Sequence, residues 1–279
     1  MNHIADCVVA FQPMSRRILH FLLLTLLPVS LVFSAPGFRK EIIGVSVENR
    51  PIYIFCFGNQ EKKTLLFVGG QHGNEQTSVD TLYAFRDYLA ANPQARPRHL
   101  QVCIIPALNA DGVARNERNN ANGVDLNRNF KTIDWQAKTY TNRKEIPFGG
   151  GRHALSEPES MAIANLLSER HKNIVAFVNV HCCGAMALPN SRSLLAVKMA
   201  AIFRQRVKYR TLHTSWSNAV YKVTGTISDF TWENYRIPDI FIELERKDKH
   251  PFKTILPGLL AVIRSDIYHS IKKETPSNK

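Results

Sequence analysis

The chain has 279 residues, 44% hydrophobic and 21% charged, which is enough to bury the core of one large or two small domains and excludes a disordered or fibrous composition. A formal charge of +13 suits an anionic partner, whether nucleic acid, a membrane face or an acidic envelope polymer, or else a merely solubilising surface. The basic residues are scattered rather than striped and no zinc-finger spacing occurs, so nucleic acid is not an expected partner.

Arg16-Arg17 is followed by an apolar run from Phe21 to Phe33, interrupted by Pro28, and then by small residues. This is the pattern of a secretory signal peptide, and the run falls short of the roughly 20 apolar residues that span a bilayer. A cut after Ser34 places Val32 and Ser34 in the small-residue positions. The leader is therefore read as residues 1–34, with Met14 as an alternative start and an uncleaved anchor as the alternative fate. The expected location is outside the cytoplasm, periplasmic or secreted, with membrane contact only through this segment.

Glu41 to Val47 and Ile52 to Phe57 flank the turn residues Asn49-Arg50-Pro51, which predicts a hairpin. Thr64 to Val68 is a buried strand running into the turn Gly69-Gly70-Gln71-His72-Gly73-Asn74-Glu75. Helical periodicity through Val79, Leu82, Ala84, Phe85, Tyr88 and Leu89 ends near Asn92-Pro93. Leu100 to Leu108 is a strand closing at Asn109-Ala110-Asp111-Gly112, followed by a polar stretch to Asn129 and an irregular basic surface loop from Lys131 to Pro147. Ser156-Glu157-Pro158-Glu159 reads as a capping box with proline in the first turn, opening a helix through Met161, Ile163, Ala164, Leu166 and Leu167. Ile174 to Val180 is a buried strand that delivers His181. Leu194 to Val207 is helical, Ile240 to Leu244 is the last strand, and Pro251 to Ile271 is a closing amphipathic helix. Strands alternating with helices, with no repeat or low-complexity linker, predict a single α/β domain over residues 36–279, a mixed and largely parallel β-sheet flanked by helices.

Cys7 precedes the expected mature start, Cys56 and Cys103 lie in apolar strand-like runs, and Cys182-Cys183 are adjacent. Export permits disulfides, but the spacing matches no framework and neighbouring cysteines rarely pair, so buried free thiols are expected.

In open α/β sheets, ligands gather at the carboxyl ends of strands. Three such ends carry metal or acid–base groups: His72 with Glu75, His181, and Glu243. Imidazole and carboxylate are good zinc ligands, and three protein ligands with an open fourth position define a catalytic site. Glu243 interrupts the apolar run Phe241-Ile242-Glu243-Leu244, and a buried glutamate is costly unless paired or used. It reads either as a solvent-facing strand end paired with Arg246 or as a general base; Glu245 has the same parity, so pattern alone leaves the two open. The stretch Arg115 to Asn129 re-enters hydrophobic sequence at Asp125-Leu126-Asn127-Arg128-Asn129-Phe130, which predicts a cleft lining. Arginine there suits a carboxylate or a tetrahedral oxyanion.

These blocks, in this order from Gly69 to about Leu244, resemble the zinc carboxypeptidase family of metallopeptidases, whose fold is a mixed α/β sheet. The resemblance implies one zinc ion, with His72 and Glu75 as its first two ligands and His181 as the third. It implies Glu243, rather than Glu245, as catalytic base, and Arg118, with Arg115 a poorer match, as the arginine that polarises the scissile carbonyl. Asn127 and Arg128 match the pair that grips a terminal carboxylate, and Asp125 the acid that orients the first histidine. Tyr221, four residues before Gly225, matches a mobile tyrosine that closes over substrate, and Ser228, with Asp229 beside it, falls where pocket specificity is set. Ala110 departs from the family's proline in Asn-Pro-Asp-Gly. Gly123 to Phe130, preceded by Arg118-Asn119-Asn120-Ala121-Asn122, is most similar to bacterial murein peptide amidases, implying hydrolysis of the γ-D-glutamyl–diaminopimelate bond in cell-wall muropeptides. The leader departs from their cytoplasmic members and points to an envelope role. His-x-x-Glu and Asp-Leu-Asn-Arg also occur in the aspartoacylase and succinylglutamate desuccinylase group, so deacylation of N-acyl amino acids is the alternative. A zinc-dependent wall-peptide binding protein without activity is the reading from another class.

Overall fold

The computed structural model describes residues 33–35, 38–141, 144–189, 193–209 and 223–268. The leader expected over residues 1–34 therefore lies outside the described residues, apart from its last two. One eight-stranded sheet runs in the order β1-β2-β3-β5-β4-β8-β10-β9. Its strands are β1 (Phe33–Ala35), β2 (Phe38–Val45), β3 (Pro51–Phe57), β4 (Lys63–Gly69), β5 (Leu100–Ile105), β8 (Ile174–Cys182), β9 (Met186–Pro189) and β10 (Asp239–Leu244). The expected hairpin is β2–β3. The four central strands β5, β4, β8 and β10 pair parallel, whereas both flanks are antiparallel. The mixed α/β architecture read from the sequence is the observed one, with its parallel part at the centre.

Alternation along the strands splits the core in two. Leu65, Phe67, Val178, Val180, Ile240 and Ile242 face one layer with α1 (Gln76–Ala91), α4 (Leu194–Arg204) and α6 (Pro251–Arg264). Leu66, Val68, Ile105 and Phe177 face the other, with α3 (Pro158–Arg170) and α5 (Ile227–Tyr235). Phe177, Asn179 and His181 share the second face by parity, as do Phe241 and Glu243. That face leads to the polar strand ends. Among the described residues no helix is long and apolar enough to cross a membrane.

Several local expectations are corrected. Helix α3 is capped by Glu157, with no side-chain cap bond. Ser156 instead donates to Glu157 Oε1 (2.6 Å) and accepts from the buried Asn129 amide (3.0 Å), so the capping box does not form. The loop from Lys131 to Pro147 contains a hairpin of β6 (Thr139–Thr141) and β7 (Lys144–Ile146). Asn109 caps a short helix α2 (Ala110–Arg115) where the sequence predicts only the close of a strand and a polar stretch. Helix α4 stops at Arg204, short of the expected Val207, and α6 stops at Arg264, well before the expected Ile271. Cys7 lies outside the described residues, and the four described cysteines are not free thiols. Cys56 and Cys103 are bonded because β3 and β5, remote in sequence, are neighbours in register at these two residues. Cys182 and Cys183 are bonded to each other.

Candidate metal and catalytic site

The turn after β4 is built by the Asn109-Ala110-Asp111-Gly112 block. Leu108 N donates to Gly69 O (3.1 Å) and Asn109 N to Gly70 O (2.9 Å), so the β4 and β5 ends turn together. The Asn109 side chain caps α2 at Gly112 N (2.9 Å) and donates to Arg118 O (3.2 Å), which also accepts from Gly73 N (3.2 Å). Only glycine fits at position 73: a Cβ there would lie 1.9 Å from the Gly112 carbonyl carbon. Asp111, fully buried, takes bonds from Ser46 Oγ (2.6 Å), Glu48 N (3.0 Å) and Arg50 Nη1 (2.6 Å), which anchors α2 to the β2–β3 turn.

These contacts bring His72 and Glu75 against His181, at the end of the adjacent strand β8. The ligand atoms of the three side chains lie within 4.8 Å of one another. Glu75 bridges them, with Oε1 2.7 Å from His72 Nδ1 and Oε2 2.9 Å from His181 Nδ1. Each Nε2 faces away from this centre, His72 Nε2 to Asp125 Oδ1 (3.1 Å) and His181 Nε2 to the Gln71 amide (3.1 Å). The stacked Phe241 ring, 4.6 Å away centroid to centroid, backs His181. Burial opposes the charge of Glu75, but the two imidazoles outweigh it and hold its carboxyl below the ordinary range. Burial likewise opposes the charge of Asp125, yet Arg118, His72 and Arg128 hold it well below the usual value. Burial lowers the proton affinity of His181, and Glu75 recovers only part of the loss.

Glu243 stands directly beside His181 in the parallel β8–β10 register. Its Oε2 is buried without a hydrogen-bond partner. Burial, then repulsion by Glu75, pushes its carboxyl up to about 8. Arg118 grips Asp125 Oδ2 through Nη2 (2.8 Å) and Nε (3.1 Å), with Nη1 3.9 Å from Glu75 Oε1. Arg128 is buried and donates to Asn127 O (2.6 Å). Asn127 Oδ1 accepts from Ile227 N (3.0 Å), fixing the start of α5.

Residues 31–260 match the zinc carboxypeptidase family. The chain belongs to that family. Murein peptide amidase A of Escherichia coli (strain K12) is 32% identical over 139 residues, covering 47% of this chain and 54% of the amidase. The Homo sapiens carboxypeptidase N catalytic chain is 30% identical over 181 residues, covering 52% of this chain and 38% of that one. The chain thus spans about half, or less, of the length of these curated relatives. The solved murein-tripeptide amidase of Escherichia coli O157 matches with a TM-score of 0.64 over 84% of this chain and 94% of that one, at 23% identity, which shows the shared fold.

The donor set fits the metal that the family name implies: two imidazole nitrogens and a carboxylate converge, and both outward ring nitrogens have partners. His72, Glu75, His181, Glu243, Asp125 and Arg118 are brought together. Asn127 and Arg128 lie next to them in chain, tied to α5. Ser228 and Asp229 occupy the first turn of that helix, which periodicity did not reveal. Ser228 Oγ donates to Asp239 Oδ2 (2.5 Å) and Asp229 Oδ2 accepts from Thr226 Oγ1 (2.7 Å). Tyr221 lies outside the described residues. Sequence reasoning missed Gln71 and Asn179; the available signal was an asparagine inside the apolar β8 run.

Proposed function

We propose that this protein is an exported zinc-dependent amidase of the carboxypeptidase type, hydrolysing an amide next to a free carboxylate in peptidoglycan-derived peptides, at the γ-D-glutamyl–diaminopimelate bond. The observation that carries this reading is the half-buried Glu243 in register with His181, whose Oε2 is buried without a hydrogen-bond partner among the described residues. A solvent-facing strand end would not strand an acid in this way. In this reading residues 1–34 are the leader and residues 36–279 the catalytic domain. The likeness to murein peptide amidase A supports the substrate class, and the +13 charge suits an anionic wall.

His72, Glu75 and His181 would hold one zinc ion, and Asp125 orients the His72 ring. Zinc held there would supply Lewis acidity and lower the pKa of water towards neutrality. Glu243 takes the proton from the attacking water and delivers it to the leaving amine nitrogen. The Arg118 guanidinium, already within 3.9 Å of Glu75, stabilises the developing oxyanion. Arg128 and Asn127 hold the substrate carboxylate, Arg128 through its planar fork. Ser228 and Asp229 wall the pocket, Asp229 suiting the ammonium of a diamino acid.

The test is incubation of the purified protein and zinc with muropeptides and, separately, with N-acyl amino acids, followed by mass spectrometry. A free diaminopimelate-containing product is expected. Acyl release alone would favour an aspartoacylase-like deacylase, and zinc-dependent binding without either product would favour a non-catalytic wall-peptide receptor.

A further inference from the structure

Beside His181 lies a polar pair that the reaction does not use. Gln71 and Asn179 are both fully buried. Asn179 interrupts the apolar run of β8 and points to the same face as His181 two residues on, while Gln71 leaves the end of β4, the strand paired with β8. Gln71 Nε2 donates to Asn179 Oδ1 and lies 3.1 Å from His181 Nε2. The remaining amide atoms, Gln71 Oε1 and Asn179 Nδ2, are buried with no hydrogen-bond partner. Two buried amides with one orphaned atom each destabilise a core that apolar side chains would fill better.

Donor and acceptor logic allows two self-consistent arrangements. In the first, His181 carries its proton on Nδ1 and donates it to Glu75 Oε2 (2.9 Å), while its Nε2 lone pair accepts from Gln71 Nε2. In the second, Nδ1 offers its lone pair to a cation, so the proton sits on Nε2 and needs an acceptor. Gln71 then turns Oε1 towards it, and the second lone pair of that oxygen takes a hydrogen from Asn179 Nδ2. The two orphaned atoms are thus the acceptor and the donor that the second arrangement requires.

We infer that Gln71, steered by Asn179, is a positioning residue that fixes the Nε2–H tautomer of His181 and so sets the zinc affinity of the His72–Glu75–His181 site. Asp125 does the equivalent for His72. This inference rests on the zinc reading above.

The experiment is zinc affinity by chelator competition for the unaltered protein, Gln71→Met and Gln71→Glu, with thermal denaturation of each metal-free protein alongside. Met matches the volume of Gln and removes both hydrogen-bonding atoms, while Glu presents only acceptors. Gln71→Met should bind zinc about 10–100-fold more weakly, the range for lost outer partners of metal-bound histidines, with its melting temperature maintained or raised. Gln71→Glu should restore affinity to within a few-fold. Nitrogen-15 NMR of the unaltered protein gives an independent readout if a variant does not fold. Zinc should move the His181 proton from Nδ1 to Nε2, slow its exchange and shift the Gln71 side-chain amide resonances. A folded Gln71→Met with unchanged zinc affinity, or a His181 Nε2 proton exchanging as freely as one open to water, overturns the inference. Failure of the unaltered protein to bind zinc would instead overturn the metal assignment itself.

Discussion

Replacing Glu243 by glutamine should stabilise the metal-free protein in proportion to pH. Burial and the Glu75 carboxylate raise the Glu243 carboxyl from an ordinary 4.5 to about 8. The folded state therefore holds this proton more tightly than the unfolded chain. The resulting stability is fully present below about pH 4.5 and is lost as pH rises through about 8. At about 1.4 kcal/mol per pKa unit, ionising Glu243 in the folded protein is unfavourable by on the order of 5 kcal/mol. Glutamine keeps the shape and carries no titratable proton. Its own buried amide adds an offset that does not vary with pH, so the slope is the diagnostic quantity. Urea unfolding in the presence of a chelator, from pH 4.5 to 9, should show the stability of Glu243→Gln minus that of the unaltered protein growing by several kcal/mol. Saturating zinc should flatten that difference, because a divalent charge nearby favours the carboxylate. Metal-free profiles that stay parallel within about 1 kcal/mol would refute the placement of Glu243 as an unpaired buried acid.

The same variant should keep zinc and fold while turnover falls by about 10²–10⁴-fold, the usual contribution of a positioned acid–base group; near-normal turnover would remove Glu243 from the chemistry. Arg128→Ala should raise the Michaelis constant by roughly 10–100-fold, the loss of a charged hydrogen-bond pair, and steady-state kinetics on a carboxylate-bearing peptide checks this. Gly73→Ala should destabilise by on the order of 3 kcal/mol or prevent folding, because its Cβ meets the Gly112 carbonyl carbon at 1.9 Å; a neutral melting temperature would contradict the close approach. Chelation should abolish activity, and zinc at 100 times its dissociation constant should restore it and add about 2.7 kcal/mol of stability, read as a shift in the unfolding midpoint.

The groups at the strand ends were legible in the sequence because each stands where an apolar run stops: His72 after Val68, His181 after Val180, Glu243 inside Ile242–Leu244. Parallel neighbours in the sheet then place such ends side by side. What was not legible depends on strand order. The sequence contains no sign that β4 lies between β5 and β8, or β3 beside β5, and those adjacencies create the Cys56–Cys103 bond and bring Gln71 to Asn179. Helix α5 escaped because its signal is a Thr226 cap and a short turn following a glycine, Gly225, held at φ +65 against Arg128 O, rather than a long apolar stripe. Likewise Ser156-Glu157-Pro158-Glu159 has the residues of a capping box, but the buried Asn129 and Asn120 side chains recruit Ser156, Glu157 and Glu159 for the loop that carries Arg118 and Asp125.

The charges around the site explain why an acid tolerates burial here. Asp125 is satisfied by Arg118 and His72, and Glu75 by both imidazoles. Glu243 Oε2 has no hydrogen-bond partner among the described residues, although its neighbours in β10 are Ile242 and Leu244 and a leucine would extend that run. An unpaired buried carboxyl costs several kcal/mol, a large part of the 5–15 kcal/mol by which a folded protein is stable. Positive charge where His72 Nδ1, Glu75 and His181 Nδ1 converge would offset the repulsion that Glu243 meets from Glu75. In the zinc reading proposed above, a bound cation would therefore also favour the ionised, proton-accepting form of Glu243.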